Sequence, residues 1–230
     1  MPLLTRILRT FFHLLYHPFA CSYDLVSWTV SLGRWKDWIE SVIPFIEGTR
    51  VLELGHGPGH LQRHLRDLDL LAVGLDESQQ MGNLAKKHLS YSGYTQPRLV
   101  RGLAQFLPFP DENFDTIIST FPSEYIFDQQ TLLEVRRTLT NGGRLIVLPV
   151  TLITGKGILD KFLSWLFRFT GQAPSDPLDE VSNKLKEPFL KAGFRVKIQQ
   201  IEVKSSLLLI VLAEKETPRQ AEGRVGQSLY

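Results

Sequence analysis

Apolar and polar positions follow two periods along the middle of the chain. Short apolar runs bounded by turn residues predict strands, and segments with apolar residues three and four apart predict helices. The predicted strands are Thr49–Leu54, Leu70–Leu75, Arg98–Arg101, Phe114–Ser119 and Arg144–Pro149, and the predicted helices are Leu61–Asp67, Ser78–Leu89 and Gln130–Leu139. The run Asn141-Gly142-Gly143 favours a left-handed cap at the end of the last helix. Strands that alternate with helices predict a parallel sheet covered on both faces.

The pattern changes after Pro149. A helix is predicted over Val181–Ala192, and two apolar strands, Phe194–Val203 and Ser206–Ala213, follow it with a tight turn between them. Strands joined in this way pair antiparallel. The sequence therefore predicts a Rossmann-like α/β fold with a seven-stranded, mostly parallel sheet, helices on both faces and an antiparallel C-terminal strand pair.

The N-terminal 48 residues are predicted to be helical. In the first 20 residues, apolar positions recur at helical spacing with Arg6, Arg9 and His13 between them. This amphipathic pattern suits a helix that packs on the domain or one that lies on a membrane surface. No apolar run reaches the length of about 18 residues that a membrane-spanning helix needs. We expect a cytoplasmic protein, with peripheral contact at the inner membrane face through residues 1–20 as the second alternative.

Composition narrows the classes of function. A chain of 230 residues with 43% apolar residues suits one domain with a sizeable core. Its net charge of +2 gives no broad electrostatic case for nucleic acid, so we predict no nucleic-acid partner. The single cysteine excludes an internal disulfide framework and a cysteine-based zinc site, and no metal site is predicted. The oligomeric state is not predicted.

A glycine-rich loop, Gly55-His56-Gly57-Pro58-Gly59, follows the first predicted strand. Glycines at alternate positions allow a ligand to approach the backbone closely. The dinucleotide fingerprint would require a glycine where the chain has His60, and no P-loop lysine follows. Glu53, just before the loop, would repel pyrophosphate but attract an ammonium group. Asp76, after the second strand, can accept both hydroxyls of a ribose. Together these features indicate a positively charged nucleoside-type ligand.

These motifs resemble those of class I S-adenosylmethionine (SAM)-dependent methyltransferases, and most closely the UbiE-like, methyltransferase type 11 subgroup. The resemblance extends in order from about residue 23 to residue 213. Four segments carry it: the E-x-G-x-G-x-G run Glu53–Gly59, the run Gly74–Ser78 with Met81, the run Leu107–Asp115, and Glu134–Leu139 with Gly142–Leu145.

The resemblance implies SAM as cofactor, with S-adenosylhomocysteine as product. In that family the backbone of the glycine loop holds the methionine part, Asp76 binds the ribose, and Leu103 and Ala104 flank the adenine. Many relatives have Gly-Asp-Ala where this chain has Gly102-Leu103-Ala104, so the adenine amino group needs another acceptor, such as Gln105 or a backbone carbonyl. The implied cofactor-binding residues are Tyr23, Glu53, Gly55, His56, Gly57, Gly59, Asp76, Glu77, Met81, Leu103, Ala104 and Thr120.

The resemblance also implies one methyltransferase domain over residues 1–230. Its expected parts are an N-terminal helical cap (1–48), a SAM-binding core (49–150), an apolar lid insertion (151–180), the completion of the sheet (181–214) and a flexible tail (215–230). The apolar residues of the cap and lid either pack as core or form a pocket for a hydrophobic acceptor. No pattern identifies a catalytic base, and the candidates are Tyr125, Glu124 and His56.

The predicted activity is methyl transfer from SAM to a hydrophobic small molecule or lipid-like acceptor. The reaction would be O- or C-methylation of, for example, a quinone- or phenol-like compound. One alternative is a non-catalytic protein of the same fold that acts in binding or assembly. A less favoured alternative is an NAD(P)-dependent oxidoreductase, which the glycine spacing and Glu53 oppose.

Overall fold

Seven strands and five helices form the described part of the computed structural model, which comprises residues 34–94, 96–153, 177–204 and 206–217. The strands are β1 (Arg50–Leu54), β2 (Leu71–Asp76), β3 (Leu99–Arg101), β4 (Phe114–Thr120), β5 (Leu139–Ile153), β6 (Phe194–Glu202) and β7 (Ser206–Lys215). The helices are α1 (Trp35–Glu40), α2 (His60–Asp67), α3 (Gln79–Tyr91), α4 (Gln129–Thr138) and α5 (Pro177–Lys191), with 3₁₀ turns at Ile43–Phe45 and Glu124–Phe127.

All strands join one sheet in the order β3-β2-β1-β4-β5-β7-β6. Only β7 runs against the others, because it pairs antiparallel with both β5 and β6. The predicted fold class is therefore confirmed. The chain moves outward from β1 to β3 and then returns to place β4 on the other side of β1. Such a switch point, at the carboxyl ends of parallel strands, is where open α/β sheets bind ligands.

Helices cover both faces of the sheet and produce two apolar cores. On one face, Leu52 and Ile117 of the central strands pack with Leu132 of α4 and Phe189 of α5. On the other face the core is formed by α1, α2 and the opposite side chains of the same strands. Because both faces are buried, the central strands are almost continuously apolar rather than alternating.

The run Asn141-Gly142-Gly143 does not cap a helix, so the predicted cap was wrong, although Gly142 has the left-handed φ of +78° that the run favours. Helix α4 ends at Thr138, and Leu139 already has extended backbone and pairs with Phe114 of β4. The three residues lie inside β5, where the pairing with β4 shifts register. Leu139 is fully buried, and its burial requires the chain to leave the helix directly into the sheet. The glycine run consequently forms an irregularity within the strand.

Several predictions about the chain ends lie outside the described residues. Tyr23, the amphipathic segment in residues 1–20, most of the lid insertion and most of the tail belong to this group. Of the predicted helical cap, the described portion contains α1 and the 3₁₀ turn Ile43–Phe45. None of the described helices is long and apolar enough to cross a membrane.

Candidate functional site

A cleft of about 260 Å³ opens at the carboxyl ends of β1, β2 and β4. It lies at the switch point of the sheet, where a ligand site is expected. Its wall includes eight of the predicted cofactor-binding and candidate catalytic residues: Gly55, Gly57, Asp76, Glu77, Leu103, Ala104, Thr120 and Tyr125. The other residues on the wall are Leu75, Ser78, Gly102, Gln105, Phe121, Pro122 and Ser123.

A larger cavity of about 490 Å³ lies elsewhere, beside the amino end of β4. Two of its three cationic side chains are already engaged. Arg137 forms salt bridges with Asp111 and Glu134, and Lys215 donates a hydrogen bond to the Leu139 carbonyl at 2.7 Å. The cleft at the switch point is therefore the better candidate for a ligand site.

Gly55 is required by the close approach of Tyr125. A Cβ atom at Gly55 would lie 2.7 Å from the Tyr125 hydroxyl oxygen, and the backbone φ of +70° is itself unfavourable for other residues. The Tyr125 hydroxyl lies 3.1 Å from the Leu54 carbonyl oxygen and 2.8 Å from the Ser119 hydroxyl. The Ser119 hydroxyl lies 3.0 Å from the same carbonyl oxygen, so two hydroxyl protons serve these three contacts. The two hydroxyls thus hold the Leu54 carbonyl, directly before the glycine loop, in place.

Asp76 connects the glycine loop to the start of α3. One carboxylate oxygen accepts the backbone N–H of Gly57 at 2.9 Å, and the other accepts that of Ser78 at 2.8 Å. Each carboxylate oxygen has a second lone pair, so both can still accept hydroxyl groups of a ligand. A Cβ atom at Gly57 would meet no atom within 4 Å, so the loop borders open space there. These features fit the ribose and methionine parts of SAM.

Five of the predicted site residues that the structure describes do not line the cleft: Glu53, His56, Gly59, Met81 and Glu124. A Cβ atom at Gly59, the N-cap of α2, would approach the Ala85 Cβ of α3 to 3.0 Å, so this glycine allows the two helices to pack. Met81 is buried within α3, and Glu124 is exposed on the 3₁₀ turn after β4.

His56 lies behind the glycine loop and not on the cleft wall. Its ring is buried against Gly74, where a Cβ atom would be 2.9 Å from the ring. Its Nδ1 donates to the Gly57 carbonyl at 2.8 Å. Burial lowers the pKa of His56, and the nearby Asp76 charge opposes this effect only in part. His56 is therefore a neutral positioning residue that holds the loop.

Glu53 is almost completely enclosed, with 2% of its surface exposed. It accepts a hydrogen bond from Nε2 of Gln62 on α2 at 2.8 Å. Burial raises the pKa of Glu53 to about 8, because the charged form loses its hydration. The hydrogen bond from Gln62 opposes this effect, and the Asp76 charge adds to it. At neutral pH the carboxyl group is thus mainly protonated. A sequence cannot reveal this state, since it depends on burial.

Replacing Glu53 with glutamine is expected to change how stability depends on pH. The pKa of Glu53 in the folded chain, about 8, exceeds its ordinary value of 4.5, so its stabilising contribution is complete below pH 4.5 and decreases as the pH rises through 8. Urea unfolding of the wild type should therefore lose about 3 kcal/mol between pH 5 and pH 8 relative to Glu53→Gln. The exposed Glu202→Gln variant is the control. Parallel pH profiles for wild type and Glu53→Gln would contradict this prediction.

Comparisons with known sequences identify relatives of this chain. Residues 52–147 match the family model of a methyltransferase domain. The chain is 30% identical over 160 residues to the demethylmenaquinone methyltransferase of Thermotoga maritima, covering 67% of this chain and 68% of that protein. It is 29% identical over 149 residues to the ubiquinone/menaquinone biosynthesis C-methyltransferase UbiE of Blochmanniella floridana, covering 61% of this chain and 59% of that protein. The alignments thus span roughly three fifths to two thirds of these relatives.

A solved structure supports the fold. A SAM-dependent methyltransferase from Thermotoga maritima superposes with a TM-score of 0.61 and 20% identity, covering 89% of this chain and 99% of that one. At that identity the similarity concerns the fold alone. The family is shown by the sequence relative that is 30% identical over more than two thirds of its length, together with the methyltransferase-domain match. The chain belongs to the class I SAM-dependent methyltransferase family.

Proposed function

We propose that this protein transfers a methyl group from SAM to a hydrophobic small molecule with a quinol- or phenol-like ring, by O- or C-methylation. The observation that carries the proposal is the cleft at the ends of β1, β2 and β4, where the glycine loop and the Asp76 carboxylate meet. Open space beside Gly57 and the unused lone pairs of Asp76 support a bound nucleoside at this position.

The cleft residues have distinct proposed roles toward SAM, which supplies a methyl group already activated on a sulfonium. Asp76 accepts the ribose hydroxyls, and the backbone of Gly55 and Gly57 borders the methionine part. Thr120, at the end of β4 on the cleft wall, would face the methionine carboxylate or the transferred methyl group. The protein's main contribution to such a displacement is to align the two reactants, which is worth about 7–11 kcal/mol in favourable cases.

The adenine end of the cleft departs from the usual family pattern. Leu103 stands where many relatives have an acidic residue, and its side chain is exposed at the cleft. Gln105 lies on the same part of the wall. We assign the acceptor for the adenine amino group to the side-chain carbonyl of Gln105, while Leu103 and Ala104 provide apolar contact.

The positions of the candidate bases favour a methyl acceptor whose hydroxyl group ionises readily. His56 and Glu124 are not on the cleft wall, and the Tyr125 hydroxyl is bonded to Ser119 and Leu54. An alcohol requires strong general-base help to act as a nucleophile, whereas a phenol or quinol ionises readily and requires little. Because two candidate bases lie off the cleft wall and the Tyr125 hydroxyl is hydrogen-bonded, the cleft suits a methyl acceptor that ionises readily, such as a phenol or quinol.

The relatives support the same class of acceptor. One is named for demethylmenaquinone and the other for ubiquinone and menaquinone biosynthesis, and these compounds are quinones. Quinones with hydrophobic tails also fit the apolar composition that the sequence shows in the segment after β5.

Calorimetry tests the cofactor. We expect S-adenosylhomocysteine and SAM to bind the full chain with micromolar affinity and NAD to show no binding, because His60 stands where the dinucleotide fingerprint requires its third glycine. Saturable binding of NAD, without binding of S-adenosylhomocysteine, would support an oxidoreductase and overturn the proposal.

Labelled methyl transfer tests the activity. The protein is incubated with a cell extract and SAM carrying a labelled methyl group, and the organic and aqueous fractions are then counted. We expect the label to appear in the organic fraction. Label confined to the aqueous fraction would contradict a hydrophobic acceptor. Binding of S-adenosylhomocysteine with no transfer to either fraction would instead indicate a non-catalytic role.

A further inference from the structure

We propose that Phe121 is a specificity-determining residue whose ring, supported by Trp35, selects a flat aromatic acceptor. The inference rests on the proposed function and extends it to a particular wall of the cleft. Phe121 directly follows Thr120 at the end of β4 and lines the cleft together with Pro122 and Ser123.

The backbone of Phe121 is in an unfavourable conformation. Its φ is +49°, in the left-handed region that bulky side chains rarely adopt and that glycine or asparagine tolerates better. The backbone N–H of Phe121 donates to the Leu148 carbonyl of β5 at 2.7 Å, which holds this conformation in place. A bulky aromatic residue kept at such a position costs free energy, and strain of this kind is concentrated at binding and catalytic sites.

The conformation brings the Phe121 ring onto two tryptophans of α1. The ring centroid lies 4.5 Å from that of Trp35 with an interplanar angle of 28°, and 6.1 Å from that of Trp38. Trp38 is buried, whereas Trp35 and Phe121 are half-buried. The stacked pair thus lies at the edge of the core, with Phe121 packed against the cluster that contains the buried Trp38.

Charge is distributed unevenly across the cleft. The acidic side chains on its wall, Asp76 and Glu77, lie at the end of β2. The segment after β4 contributes Phe121, Pro122 and Ser123, which carry no charge. An uncharged planar ring suits this side, because it would stack on or meet the edge of Phe121 and would not require a counter-ion.

Trp35 is a positioning residue in this proposal. It packs against the Phe121 ring from α1, so it keeps that ring in one orientation. The N-terminal part of the chain would consequently influence which acceptor is bound, although the described residues proposed to hold the cofactor belong to the sheet and its loops.

The test compares two probes of similar size in the presence of saturating S-adenosylhomocysteine. These are 1-naphthol, which is flat, and decahydro-1-naphthol, its saturated and puckered analogue. We expect calorimetry to show that wild type binds 1-naphthol about 10-fold more tightly, the order expected for a favourable aromatic pair. Phe121→Leu should remove this preference, Phe121→Tyr should keep it, and Trp35→Leu should reduce it. Phe106→Leu, at an exposed phenylalanine that does not line the cleft, is the matched control.

The outcomes separate this inference from the proposed function. The affinity of each variant for S-adenosylhomocysteine is measured first, so that the probes are compared at saturation, and urea unfolding shows that the variants are folded. Equal affinity of wild type for the two probes, or a preference that survives in Phe121→Leu, would overturn the role of Phe121 and leave the proposed function standing. Failure of the wild type itself to bind S-adenosylhomocysteine would instead overturn the proposed function.

Discussion

Replacing Asp76 with alanine is expected to weaken the binding of S-adenosylhomocysteine about 100-fold. The substitution removes the carboxylate proposed to accept the ribose hydroxyls, and it also releases the Gly57 and Ser78 backbone N–H groups that Asp76 now holds. Hydrogen bonds to a charged group are worth about 1.5–3 kcal/mol each, and about 1.4 kcal/mol corresponds to a tenfold change in affinity. Isothermal titration calorimetry measures the effect directly.

Asp128→Ala is the matched control for this experiment. Asp128 also accepts a backbone N–H at the start of a helix, from Gln130 at 3.1 Å, but it is not on the cleft wall. We expect this variant to lose about 1 kcal/mol of stability and no affinity. When Asp76→Ala is combined with Gly57→Val, which fills the open space beside the loop, binding should become undetectable. Unchanged affinity in the double variant would refute the site.

Replacing Gly55 with alanine is expected to lower the free energy of unfolding by about 3 kcal/mol. Two effects contribute: a φ of +70° that alanine does not favour, and a Cβ atom placed 2.7 Å from the Tyr125 hydroxyl. Urea unfolding measures the loss. Gly82→Ala is the control, since Gly82 lies inside α3 and a Cβ atom there would meet no atom within 4 Å. This control should stabilise the protein by about 0.5–1 kcal/mol.

A double-mutant cycle isolates the contact between Gly55 and Tyr125. Tyr125→Phe removes the hydroxyl and its bonds to Leu54 and Ser119, which alone should cost about 1 kcal/mol. It also removes the atom that a Cβ at position 55 would strike. The double variant should therefore lose less stability than the two single losses combined, by about 1 kcal/mol or more. Strict additivity would show that this contact is not what requires the glycine.

The roles of the loop glycines illustrate what sequence reasoning can reach. Their spacing after a buried strand predicted a ligand-binding turn, and the structure places Gly55 and Gly57 on the cleft wall. The spacing did not indicate that the surroundings of the three glycines differ. A Cβ atom would meet Tyr125 at Gly55 and Ala85 at Gly59, whereas Gly57 borders open space. Those neighbours come from other elements, so their distances do not follow from local spacing.

Phe121 and Glu53 show that the local sequence also does not determine backbone conformation or protonation state. Nothing in the run Phe121-Pro122-Ser123 indicates a positive φ, since that conformation results from the turn that follows β4 and from packing against α1. Glu53 in its motif suggests a charged carboxylate, yet enclosure by the sheet and α2 raises its pKa to about 8. The run Asn141-Gly142-Gly143 predicts a helix end because its turn preference is a local property. In the structure Leu139 is already buried in the sheet, so β5 begins before this run and includes it.

The sequence by itself determined the order of strands and helices, the Rossmann-like fold class, and the positions of the glycine loop and Asp76, because periodicity and motif spacing are properties of neighbouring residues. The tertiary structure alone decided which of these residues share the cleft. It also decided that the hydroxyls of Tyr125 and Ser119 support the loop, that Glu53 is protonated and that Phe121 stacks on Trp35. The physical reason is that burial, electrostatic environment and close approach arise between segments far apart in the chain.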